Sequence, residues 1–148
     1  MQRDIRLSDL GKEDKRSLES GFFQVLPSRD VAGRAIVVGM PMLRKYKKLE
    51  NLVRSFMYTI FLALQDVETQ KNGFVMVGFN TGKNRVMDRG AAWAIQKISR
   101  LIPMRMSTIH FCYDSPKMRP MMTVAMMIMG ARRRVRFRAH YGEIDLLQ

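Results

Sequence analysis

Apolar positions along this chain follow two rhythms, one of period two and one of period near 3.6, and the two alternate. "FFQVL" at 22–26 and "RAIVVGM" at 34–40 are β-branched and aromatic runs, separated by "PSRDVAG", whose Pro27, Asp30 and Gly33 are turn formers. Leu49, Leu52, Val53, Phe56, Met57, Ile60 and Leu64 then recur at helical spacing, with Lys48 and Arg54 on the wetter side. "GFVMVGF" at 73–79 is apolar on both faces, as a buried central strand would be. Val86, Ala91, Ala94, Ile95, Ile98 and Ile102 predict a second helix, ended by Pro103. "RMSTIHFCYD" at 105–114 reads as another strand, and residues 117–130 as a methionine-rich helix or helix-like lid. In "RRRVRFRAH" at 132–140, Val135, Phe137 and Ala139 alternate with Arg134, Arg136, Arg138 and His140, predicting a strand with one buried face.

That order implies crossover connections. The expected fold is therefore α/β: a mostly parallel or mixed sheet of about five strands with helices packed on it. Residues 1–20 are charged and lack a sustained period, which predicts a mobile arm or a single short helix ahead of one domain at 21–148. The total of 148 residues suits one hydrophobic core. Strand alternation places Val75, Val77 and Phe79 opposite Phe74, Met76 and Gly78, and Ile109, Phe111 and Tyr113 opposite Thr108, His110 and Cys112. Which face would meet a ligand stays open at this level.

Charge narrows the partners. The formal net charge is +13, and residues 71–140 carry fourteen basic against two acidic side chains, while residues 1–30 balance at six of each. A field of that kind attracts phosphate-bearing polyanions. The single cysteine, Cys112, permits neither an intramolecular disulfide nor a cysteine-based zinc site. The N-terminus lacks the apolar core of a secretory signal, and no apolar run approaches the roughly 18 residues of a spanning helix. A cytoplasmic protein, able to lie peripherally on a membrane, is the expectation.

Catalytic chemistry is not expected. Neither histidine, His110 or His140, has an acidic partner placed by spacing. Ser115 precedes a proline rather than sitting in a nucleophile elbow, and "GFNTGK" lacks the spacing of a phosphate-cradling loop. No metal or cofactor is called for.

Taken together and in order, several short motifs resemble the CRAL-TRIO lipid-binding domain. Asp30, Gly33 and Arg34 match its Asp-x-x-Gly-Arg hairpin, and Gly73 and Gly82 match the glycines that bracket its central strand. Pro103 and Arg105 match the Pro-x-Arg that opens the next strand, and Asp114-Ser115-Pro116 the turn that closes it. Arg134, Val135, His140 and Gly142 match a basic segment with a trailing His and Gly. The resemblance covers about residues 22–142. Two positions depart from it: Phe79 stands where many members have Asp, and Met104 where phosphatidylinositol-binding members have Glu. Only about 20 residues precede Phe22, and the chain stops at Gln148. A reduced or partial member, without the family's preceding helical domain and C-terminal portion, is therefore the expectation.

The resemblance implies that the chain binds a hydrophobic lipid beneath a gate helix and presents or transfers it at anionic membranes. It implies a pocket or gate drawn from Met76, Phe79, Ile109, Phe111, Tyr113, Met118, Met122 and Met126. Met121, Met127 and Met129 complete the methionine cluster, which reads equally well as a core helix filled with adaptable side chains. Phosphate or membrane contacts would come from Arg105, Lys117, Arg119, Arg132, Arg133, Arg134 and Arg136. The arginine run has two other readings: an edge strand protected from aggregation, and a nucleic-acid patch, which is disfavoured because stacking aromatics are scarce nearby. The rival functions are a non-enzymatic interaction scaffold with no working pocket and, less favoured, a charge-driven RNA-binding module.

Overall fold

The computed structural model describes residues 6–43, 46, 48–81, 89–98, 105–128 and 131–142. Val86, Ile102, Pro103, Gly82, Met104 and Met129, all named above, lie outside the described residues.

Strand β1 (Phe23–Arg29) pairs antiparallel with β2 (Ala35–Gly39), and β3 (Phe74–Asn80), β4 (Met106–Tyr113) and β5 (Phe137–Tyr141) follow in parallel. The strands lie in the order β1-β2-β3-β4-β5. The expected α/β fold with a mixed five-stranded sheet is what the chain adopts. Asp30 closes the first hairpin, accepting hydrogen bonds from the backbone N–H of Ala32 (3.0 Å) and Arg34 (2.9 Å) and from Arg34 Nε (2.7 Å). The Arg34 guanidinium beside it holds the Asp30 carboxyl below its ordinary value near 3.8. Arg34 also donates to Ser107 Oγ, tying the hairpin to β4.

Every parallel connection steps in the same direction across the sheet. Right-handed crossovers then bring all their helices to one face, and the contacts agree. Helices α2 (Leu49–Leu64) and α3 (Val67–Asn72) join β2 to β3, α4 (Arg89–Ile98) joins β3 to β4, and α5 (Met118–Ile128) with α6 (Ala131–Arg134) joins β4 to β5. Leu52, Phe56 and Ile60, spaced one turn apart on α2, are wholly buried against Phe23, Ala35, Val37 and Phe74. Each such side chain stabilises the fold by about 1.5–3 kcal/mol. Ala91, Ile95 and Ile98 of α4 pack against the same cluster.

Two elements go beyond the sequence reading. Helix α3 is polar on most sides and carries no apolar stripe; it is set by its ends. The Asp66 carboxylate caps its start by accepting from the Glu68 N–H (3.2 Å), and Gly73 ends it. At φ 78° and ψ −160°, Gly73 occupies a region essentially closed to other residues. A Cβ there would also lie 2.1 Å from the Arg105 carbonyl oxygen. Second, residues 12–19 form α1 (Lys12–Glu19), the single short helix that was one of two expectations, and it lies on α2. Buried Asp14 accepts from the Gly11 N–H (2.9 Å) and from Asn51 Nδ2 (2.8 Å), with Arg54 Nη1 at 3.5 Å.

One expectation is corrected. "RRRVRFRAH" is not a strand throughout: Arg134 ends α6, Val135 and Arg136 turn, and β5 begins at Phe137. Ala-Arg-Arg-Arg is a run of good helix formers, and pairing with β4 starts only at Ile109 opposite Phe137. Val135, expected inside, is 67% exposed, and Ala139 is exposed as well.

Candidate functional site

The register sorts the candidate pocket residues by face. Val37, Met76, Ile109 and Phe137 align across the sheet, so Met76, Ile109, Phe111, Tyr113, Phe137, Ala139 and Tyr141 share the helix-covered face. Phe79 does not join them; it lies on the opposite face with Val75, Val77, His110 and Cys112. Met76 packs under the α2–α4 core, away from α5.

Helix α5 meets the sheet through residues one turn apart. Met118 and Met122 are buried against Tyr113, with Phe111, Met121 and Phe137 around them. Asn80 Nδ2 donates to the Met118 sulfur at 2.9 Å. Pro120 sits in the first turn, where no backbone N–H is needed for the helix. For Met118 and Met122 the core reading therefore fits what surrounds them. One turn further on, Met126 is only half-buried, and beyond it Met127 is 71% exposed.

At that end the helix leaves open space against the sheet edge. One groove of about 400 Å³ is lined by Tyr113, Met122, Thr123, Met126, Met127, Arg134 and Ala139. An adjoining groove of about 570 Å³ is lined by Met126, Ala131, Arg134, Val135, Phe137, Arg138 and Ala139. Met126, Arg134 and Ala139 belong to both, so the two spaces meet there. Of the expected pocket residues, Tyr113, Met122 and Met126 line the grooves; Phe111 and Met118 stand behind them, and Ile109 lies lower on the same face. Met127, already named with the methionine cluster, lines the first groove too, and Thr123 and Arg138 join the lining though the sequence reading assigned them no such place. Thr123 and Met127 flank the Met118–Met122–Met126 row by one position, a signal that helical spacing does carry.

The candidate phosphate contacts fall at two ends of the sheet. Arg105, Arg134 and Arg136 precede β4 and β5, whereas Lys117 and Arg119 follow β4. Eight residues of β4 span about 26 Å, so these cations do not make one patch. Arg119 lies over the Tyr141 ring at 5.4 Å, and Arg136 Nη1 donates to the Met106 carbonyl at 3.4 Å. Arg132 and Arg133 sit on α6, and their side chains lie outside the described residues.

On the opposite face, His110 and His140 stack at 12° with ring centroids 5.1 Å apart, and His110 Nδ1 shares a hydrogen bond with His140 Nε2 at 2.9 Å. Burial, then the charges of His140, Arg138 and Arg34, pushes the His110 pKa below its ordinary value near 6.5. Burial likewise pushes the Cys112 thiol up. Among the described residues, no cluster of three or more His, Cys, Asp or Glu could hold a metal ion, and no helix is long and apolar enough to cross a membrane.

No protein-family model matches the chain, and no curated protein matches it. Among solved structures it is similar to that of Sfh5, a Sec14-family protein of CRAL-TRIO type, with a TM-score of 0.59 and 14% identity. The match covers 85% of this chain, which spans about half the length (50%) of the Sfh5 chain. At that identity the likeness is one of fold.

Proposed function

We propose that this chain binds a hydrophobic lipid in the groove between α5–α6 and β4–β5, with α5 as its gate, and presents or transfers it at anionic membrane surfaces. The observation that carries this reading is the apolar groove roofed by Met122, Met126 and Met127 and floored by Tyr113 and Ala139. Flexible thioethers let such a wall repack around a tail of variable shape. The volume falls in the range of about 300–1,000 Å³ usual for ligand sites. The fold shared with a Sec14-family protein, a lipid-binding family, supports the same reading.

Membrane contact would come from Lys117 and Arg119 at one end and Arg105, Arg132, Arg133, Arg134 and Arg136 at the other. A basic residue near an anionic surface contributes about 1 kcal/mol. The mechanism is binding and gating, without covalent chemistry. Because the groove is open rather than enclosed, the rival reading is an interaction scaffold with the same fold. Organic extraction and mass spectrometry of the purified protein decide between them. About one lipid per chain is expected; repeated absence of lipid, with no uptake of a fluorescent lipid from vesicles, would sink the proposal and leave the scaffold.

A further inference from the structure

The groove is amphipathic along its length. Its upper part, towards Tyr113, is walled by Met122, Met126, Met127 and Ala139, whereas its lower part is lined by Arg134 and Arg138 together with Ala131, Val135 and Phe137. These two cations differ in what they already bind. Arg138 Nη1 donates to the carbonyls of Val135 (3.0 Å) and Phe137 (3.3 Å). Arg134 has no hydrogen-bond or ion-pair partner among the described residues, and it alone of the two lines both grooves. The sequence from 115 to 142 holds seven basic residues and no Asp or Glu, so α5, α6 and β5, which line the grooves, bring no acid to it.

Size limits the apolar part. A methylene group takes up about as much room as a water molecule, about 30 Å³, so one chain of roughly 14–18 carbons needs roughly 400–550 Å³. The upper groove of about 400 Å³ has room for one such chain. A second chain would have to lie along the lower groove past the exposed Arg134 and would strip its guanidinium of water.

Resting on the lipid-binding reading above, we infer that the ligand is a single-chain anionic amphiphile, with its tail along Met122, Met126 and Met127 and its carboxylate or phosphate held by Arg134. The planar guanidinium suits an oxyanion of either kind through two parallel N–H···O bonds. The inference separates this site from one for a neutral or a two-chain lipid.

Displacement of a fluorescent fatty acid by palmitate, 1-palmitoyl lysophosphatidate, hexadecanol and dipalmitoyl phosphatidate tests it. The two single-chain anions are expected to bind at least tenfold more tightly than hexadecanol or the diacyl lipid, and their relative affinity tells carboxylate from phosphate. Arg134 is exposed, so Arg134→Ala should fold normally, checked by its unfolding curve; it should lower both anions to the level of hexadecanol, with Arg134→Lys intermediate. Equal binding of hexadecanol, equal binding of the diacyl lipid, or an anion preference that survives in Arg134→Ala would each overturn the inference while leaving lipid binding intact. Failure of all four amphiphiles to bind would overturn the lipid-binding reading with it.

Discussion

His110 shows how a single position can escape a sequence reading. Its alternation with Phe111 and Cys112 assigns it to a face, but only the structure sets His140 against it, from a strand that lies 30 residues away and begins three residues later than expected. The pair has a pH consequence with a definite sign. Because burial and neighbouring charge lower the folded pKa of His110, its neutral form is favoured in the fold. Its stabilising contribution is complete above the unfolded value near 6.5 and is lost as pH falls through the lower folded value. Chemical denaturation between pH 8 and 5 should therefore show stability declining below about 6.5, with a shallower decline in His110→Gln. Equal slopes would rule out His110 as the source. Arg138, Arg34 and His140 are the charged or titratable groups that face it.

At the scale of elements, the legible pieces were those whose apolar residues repeat. Leu52, Phe56 and Ile60 announce α2 because burial on one face imposes the period, and the unbroken apolar and β-branched runs around Val37 and Val75 and the aromatic alternation around Phe111 announce their strands. Helix α3 escaped because its signals are a cap and a glycine rather than a stripe. The start of β5 was misplaced because three arginines serve a helix end as readily as a charged edge. Helix α1 rests on polar contacts that no periodicity announces. Asp14 is fully buried among Gly11, Asn51 and Arg54, so Asp14→Ala strands Asn51 Nδ2 and removes the helix cap. A loss of about 1–3 kcal/mol is expected in urea denaturation, with faster amide exchange concentrated in residues 12–19. Unchanged exchange there would mean that α1 is held by other contacts.

For the whole molecule, charge and topology act together. Composition located the positive field in the second half of the chain, and the sheet divides it between two ends, which no linear count reveals. Reversing Arg132, Arg133 and Arg134 to Glu should weaken co-sedimentation with acidic liposomes by about two orders of magnitude, at about 1 kcal/mol for each residue. Raising the salt to 1 M, which shortens the screening length to about 3 Å, should weaken the unaltered protein similarly. Binding unchanged by the reversal would remove this end of the sheet from any membrane contact. The candidate groove was legible in its methionine row and in Tyr113; its remaining wall depends on where β5 begins. Helix α5 is fastened at one end, where Asn80 grips Met118 and Met122 is buried, while its far end stands over open space. Beyond Met122 it is a cantilever about 9 Å long. A tilt of about 15° about that fixed end displaces the tip by about 2 Å, roughly half the width of a hydrocarbon chain, while leaving the root in place.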